Sequence, residues 1–217
     1  MAEIRSPKPF GNLTAITSID GRFRGRVEGM AEYFSEYSTI KGRVFVEIEF
    51  LIALSGLINI PLKKIEINNL RKIASNFDEE DASTVWKKDE EINHDTKAVE
   101  YFLAGKLKEI GLGGLINYLH FGLTSADIDN TALALSLKDF CDQVLGPKLI
   151  NLVSCLKKTA LGQKKLVMLA RTHGQVAVPT TAGKELANFA NRLEIQLKKL
   201  SKIKLGSKLT GAVGNYN

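Results

Sequence analysis

Cysteine is nearly absent from this chain of 217 residues: Cys141 and Cys155 are all of it. Each lies inside an apolar helical pattern, so neither a disulfide framework nor a cysteine metal cluster is available. The pair reads as two reduced, buried thiols. Long hydrophobic runs are missing as well. FLIAL, residues 50–54, is among the longest and falls far short of a membrane span. The opening MAEIRSPKPFGNLTAITSIDGR has no apolar stretch of signal-peptide length. A soluble, cytoplasmic protein with no membrane partner is the expectation. There is no Walker loop, no dinucleotide fingerprint and no GxSxG elbow. Internal repeats and low-complexity tracts are also lacking.

What is present is 44% hydrophobic residues, enough for a sizeable core, and a net charge of +6. Such a charge raises the question of nucleic acid. The lysines, however, come as scattered pairs (63–64, 87–88, 157–158, 164–165, 198–199) with no aromatic platform between them. Solvated helix faces account for them, and nucleic acid is not expected as a partner. The mild positive field would still draw in a small polyanion.

Nearly every long segment carries the helical period. Residues 43–57, RVFVEIEFLIALSGL, are apolar on nearly all sides and predict a deeply buried helix. Further helices are expected over 64–77, 78–91 and 96–110, the last stopped by GLGG at 111–114. Then come a run of almost forty residues from Ser125, broken only by Gly146 and Pro147, and another over 181–203. Pro147 should kink or restart the first. Long stripes of this kind bury themselves against one another in a bundle. The expected fold is all-α: a compact helical domain at 1–112, then the opening helices of a long-helix bundle at 113–217. LVMLART, 166–172, is the best extended segment and could equally be a loop. Two long helices cannot cover their own apolar surface, so other chains or further residues must supply the missing helices.

All three histidines sit in polar islands that interrupt helices: EEINHDTKAVEYF, INYLHFGLTSADIDN and LARTHGQVAVPTT. Histidine titrates nearest physiological pH, which suits proton transfer. His173 is flanked by Gly174, which permits close approach of a ligand, and by the hydrogen-bonding Thr172 and Gln175. Spacing alone supports equally a proton donor and a turn whose imidazole caps a helix. In NHDTK, Asp95 is a natural N-cap, and no HExxH spacing points to a metal. Thr124 and Ser125 precede the longest helix, where hydroxyls and free amides suit an anion or serve as a plain cap. SIDGRFRGRV sets Arg22, Arg24 and Arg26 around a turn, and arginine grips carboxylate or phosphate.

Taken in order, LTAITSIDGRF, FSEYSTIKGRVFVEIEFL, NHDTKAVEYFL, HFGLTSADIDN, RTHGQVAVPTTAGKELAN and GAVGNYN resemble the adenylosuccinate lyases of the fumarase/aspartase superfamily. The third and last of these favour that family over the argininosuccinate and fumarate lyases. The resemblance implies β-elimination of fumarate from a succinylated purine nucleotide: adenylosuccinate, or the succinylated aminoimidazole carboxamide ribotide. It implies no metal or organic cofactor and a homotetramer whose sites draw on three subunits. His173 then matches the general acid, which protonates the departing nitrogen, and His94 a second active-site histidine. Asn93 and Asp95 fall in the substrate-binding segment, Thr124 and Ser125 match hydroxyls that hold the anionic part, and Arg22 matches a substrate-binding arginine. Phe23 stands where the family has tyrosine, so a phenol hydrogen bond is lost while a ring for stacking remains. The family's serine-loop pattern SSxMPxKxN has no counterpart here. The chain therefore resembles the amino-terminal half of such an enzyme and is expected to be inactive alone. The rival readings are another lyase of the superfamily, such as argininosuccinate lyase, or a non-catalytic helical oligomerisation module.

Overall fold

A computed structural model of the chain describes residues 14–215. By contact the chain divides into two units: residues up to Ser136 together with those from Ser207, and Leu137–Gly206. Each is described separately. Among the described residues no helix is long and apolar enough to cross a membrane.

In the first unit, two short turns, α1 (Arg24–Val27) and α2 (Ala31–Phe34), lead into α3 (Glu36–Leu57), α4 (Lys64–Ser75), α5 (Glu79–Ile92) and α6 (Asp95–Glu109). Ser35 caps α3 by accepting the Ser38 N–H, so the helix begins well before the apolar run that announced it. Asp78 caps α5, accepting the Glu80 and Asp81 N–H groups at 3.0 Å. Helix α6 stops at Gly111, whose φ of +77° suits glycine best. The core is built on helical spacing: Ile40, Val44, Ile48 and Leu51 of α3 meet Leu70, Val85, Val99, Leu103 and Leu107. Each such buried side chain contributes about 1.5–3 kcal/mol. Phe77 and Phe102 pack edge to face, 5.5 Å between centroids. Not all of α3 is covered, since Phe45 is 44% exposed. The helix has an outer face after all, and the apolar composition of residues 43–57 overstated its burial.

Helix α7 (Ser125–Phe140) begins in this unit. It continues through a π-helical turn, Cys141–Leu145, into α8 (Gly146–Gly162). Proline lacks an N–H and its ring crowds the carbonyl four residues back. The wider turn, in which the Gly146 N–H reaches the Cys141 carbonyl, accommodates Pro147 without ending the helix. Gly146 is required there, because a Cβ would lie 2.9 Å from that carbonyl oxygen.

The second unit pairs α8 with α9 (Ala182–Leu200), burying Val153, Ala160 and Ala190, and Lys157 meets Glu194 at 2.7 Å. Between them lies a β-hairpin, β1 (Val167–Thr172) and β2 (Gln175–Thr181). The LVMLART segment is thus a strand, and QVAVPTT, which was not among the expected elements, is its partner. The sequence hid the second strand because Pro179 sits within it, on a hairpin whose strands are both edges. Leu161, Phe189, Val176 and Val178 remain exposed. Cys155 is exposed as well, and Cys141 partly so, which corrects the expectation of two buried thiols. Tyr216 and Asn217, the end of the GAVGNYN segment, lie outside the described residues.

Candidate functional site

Two of the polar islands are drawn together by α3. Arg43 and Glu47 stand four residues apart, on one face of a helix whose other buried residues are nearly all apolar. A charge removed from water needs partners, and both find them at long range. The Arg43 guanidinium donates to Asp95 at 2.5 Å and to Asp129 at 2.7 Å, joining the start of α6 to the second turn of α7. The wholly buried Glu47 carboxylate receives the His120 Nδ1 at 2.5 Å and the His120 N–H at 3.2 Å. That pairing raises the His120 pKa above its ordinary value; burial opposes it. His120 has φ +55°, a backbone state uncommon outside glycine, and the Glu47 bonds hold it there.

The NHD segment is a hinge between α5 and α6. Asn93 ends α5 at φ +52°, its N–H on the Asp89 carbonyl at 2.7 Å. Asparagine tolerates this conformation better than most residues. The N-cap of α6 is His94, whose Nδ1 accepts the Lys97 N–H at 3.2 Å, and not Asp95 as the sequence suggested. Asp95 sits one place later because Arg43 claims one of its oxygens, while the other accepts the Thr96 N–H at 2.7 Å. Burial pushes the Asp95 carboxyl up, and the Thr96 N–H and Arg43 together bring it below the usual carboxylate value. Accepting through Nδ1 leaves Nε2 of a neutral His94 as the N–H. The ring is about half exposed.

At the start of α7 the Thr124 N–H donates to Asp127 at 3.0 Å, and the Asp127 N–H returns to the Thr124 carbonyl at 2.9 Å. Neither the Thr124 nor the Ser125 hydroxyl has a hydrogen-bond partner among the described residues. Arg22 and Phe23 are joined to these islands by no hydrogen bond or ion pair among the described residues. They lie on an exposed turn where the Arg22 and Arg26 guanidinium groups stand 6.0 and 5.5 Å from the Phe23 ring centre. The ring that replaces tyrosine does stack, on its own neighbours.

His173 belongs to the second unit, where it forms the tip of the hairpin. Thr172 pairs with Gln175, so His173 and Gly174 are the two turn residues, at φ +52° and +75°. Positive φ at both positions is the tight turn whose twist matches that of the strands. The imidazole is exposed and has no hydrogen-bond partner among the described residues; it caps no helix. Sequence reasoning missed Arg43, Glu47, Asp127 and Asp129. The one available signal was an arginine and a glutamate four apart inside RVFVEIEF.

A family model described as lyase matches residues 21–217. Among curated proteins, the chain is 45% identical over 215 residues to the adenylosuccinate lyase of Dictyostelium discoideum, covering 95% of this chain and 46% of that protein. It is 40% identical over 213 residues to the adenylosuccinate lyase of Escherichia coli (strain K12), again covering 95% and 46%. The chain thus spans about half the length of the curated relatives it matches. Among solved structures it resembles the fumarate lyase of Mesorhizobium sp. BNC1, with TM-score 0.71 and 23% identity over 87% of this chain and 43% of that one. The β-carboxy-cis,cis-muconate cycloisomerase of Acinetobacter calcoaceticus sp. ADP1 is similar at TM-score 0.70 and 22% identity, over 87% and 44%.

Proposed function

The chain belongs to the lyase family that its residues 21–217 match, and from that premise we propose that it carries part of the active site of an adenylosuccinate lyase. The reaction is a β-elimination. A base removes a proton from the succinyl carbon, its electron pair forms the double bond of fumarate, and the carbon–nitrogen bond breaks toward the purine amine. That nitrogen takes a proton from His173, the general acid, whose exposed ring is free to donate. His94 serves as the second histidine of the enzyme's site. Thr124 and Ser125 offer hydroxyls, with the amino end of α7 behind them, to a succinyl carboxylate. Asn93, Asp95, Arg22 and Phe23 complete the substrate-binding set. The substrates are adenylosuccinate, giving AMP, and the succinylated aminoimidazole carboxamide ribotide; no cofactor is required.

The observation that supports this reading best is the bridge of Arg43 between Asp95 and Asp129, which gathers two islands far apart in sequence. A homotetramer in the cytoplasm belongs to the same proposal, as does a division into a helical domain at 1–112 and the opening of a bundle at 113–217. The apolar side chains left exposed on α8 and α9 give other helices something to cover. The test is fumarate release, followed by absorbance, in the polypeptide that extends this sequence to the length of its relatives. His173→Gln is expected to slow turnover by about 10²–10⁴-fold. A change of less than about threefold removes His173 from its role. Release of fumarate from argininosuccinate but not adenylosuccinate replaces the substrate.

A further inference from the structure

Asp127 is 1% exposed and lies in the first turn of α7, two residues beyond Ser125. Its carboxylate takes four donors. Oδ2 accepts the Thr124 N–H at 3.0 Å and the Gly211 N–H at 3.2 Å; Oδ1 accepts the Thr210 N–H at 3.0 Å and the Lys208 ammonium at 2.7 Å. The Lys208 ammonium also donates to the Gly211 carbonyl at 2.6 Å. Burial pushes this carboxyl up, but the Lys208 ammonium and the Thr124 and Thr210 N–H groups override it and hold the pKa at about 2. The side chain is thus an anion at every pH where the protein works.

Two consequences follow for the hydroxyls. First, three of the four donors that come to Asp127 belong to a segment more than 80 residues away in sequence, from the SKLTGAVGN stretch. A buried carboxylate that accepts from both strands of chain is the fastening between them. Second, Asp127 satisfies the Thr124 N–H, and the Thr124 carbonyl takes the Asp127 N–H in return. The usual task of a threonine hydroxyl at a helix start, to accept such an N–H, is therefore not needed. The hydroxyls of Thr124 and Ser125 stay unengaged.

We propose that Asp127 is a positioning residue: it clips residues 208–211 onto the amino end of α7, and by doing so presents the Thr124 and Ser125 hydroxyls to a carboxylate of the substrate. The proposal rests on the reading above, that these hydroxyls hold a substrate carboxylate. Asp127 itself touches no ligand. A group that bound a dicarboxylate directly would have to donate, whereas the Asp127 carboxylate only accepts and its charge would repel the ligand.

The test uses the polypeptide that extends this sequence to the length of its relatives, with fumarate as probe, comparing wild type with Asp127→Asn and Thr124→Ala/Ser125→Ala. Hydrogen exchange at the Thr124, Thr210 and Gly211 amides is read first. In Asp127→Asn it should be faster by about tenfold or more, while amides in the α3 and α6 core keep their rates. Fumarate is then titrated while the Ser125 and Ala126 amide resonances are followed. Wild type is expected to show a saturable shift, and both variants a dissociation constant raised about tenfold or more. If the double variant loses fumarate while Asp127→Asn keeps it, the positioning role is overturned and the carboxylate site stands. Should the double variant bind as wild type, or wild type not bind, the site reading fails and takes the proposal with it. Lys208→Met, at a partly exposed side chain, guards against misfolding of Asp127→Asn. It should loosen the Thr210 and Gly211 amides alone, and unchanged exchange there overturns the clip.

Discussion

Replacing Glu47 with glutamine removes a charge from the centre of the first unit while keeping its shape. Glu47 is wholly buried on α3 and binds both the ring and the backbone N–H of His120, at 2.5 and 3.2 Å. The amide retains one acceptor oxygen and nearly the same volume, so packing survives and the charge-assisted component is lost. Such bonds contribute about 1.5–3 kcal/mol, and a loss of about 2 kcal/mol is expected. For a chain of this size that corresponds to about 4–8 °C in melting midpoint. The deficit must also depend on pH. The bond to Glu47 is the leading cause that raises the His120 pKa, and burial pulls the other way. A proton bound more tightly in the folded state stabilises it fully below the unfolded pKa of about 6.5, and that gain is lost as pH rises through the raised folded value. The variant should therefore fall furthest behind wild type near about pH 6 and recover part of the difference by about pH 9. Circular dichroism melts at the two pH values measure this, with the His120 ring titration by NMR beside them. His120→Ala should be worse than Glu47→Gln, by about 3–5 kcal/mol against wild type, because the fully buried carboxylate then loses its ion-pair partner and keeps only the backbone N–H. Equal deficits at both pH values, or a His120 titration unmoved in Glu47→Gln, would refute the reasoning.

Arg43→Met keeps the stem length and removes both ion pairs. Asp95 and Asp129 are each partly exposed and fall back on water, so the expected cost is about 1.5–3 kcal/mol in denaturant unfolding; less than about 0.5 kcal/mol would mean the bridge holds nothing together. Gly183→Ala places a Cβ 2.7 Å from the Lys164 backbone and against the Ala160 carbonyl, atoms that cannot step aside. Overpacking of about 1–3 kcal/mol should open α8 and α9 to limited proteolysis. Gly162→Ala, whose Cβ meets nothing within 4 Å, should leave cleavage unchanged. A colorimetric disulfide reagent should label native Cys155 in a fast phase and the partly covered Cys141 in a slower one. A single slow phase would contradict the exposure of α8 at that position.

Two helix starts were legible because their signals are local: Asp78 and Thr181 are short polar side chains just before periodic apolar runs, and both cap. The long stripes and the glycine stop at 111 followed the same local logic. The ion pairs were not legible, since a buried charge is explained only by a partner, and here the partners are distant. Arg43 meets Asp95 across 52 residues and Glu47 meets His120 across 73. RVFVEIEF therefore read as a uniformly buried segment when it is one polar seam and one outward ring. The swap of caps from Asp95 to His94 has the same origin. Local preference favours aspartate, and a guanidinium from another helix outbids it. Of the candidate site, the residue types were visible in the islands, while the framework that aims them was spread over helices the sequence alone could not juxtapose.

The three histidines differ in what else depends on them. His94 closes the end of α6, and His120 is locked to a buried carboxylate, so altering either ring disturbs architecture along with any chemistry. The hairpin tip is different. Its shape comes from two backbone dihedrals and the Thr172–Gln175 pairing, none of which passes through the imidazole of His173. Asparagine would suit that dihedral at least as well. At this one position a laboratory can vary acidity, size or charge and read the outcome as reactivity alone, because the scaffold and the imidazole share no atoms beyond the main chain.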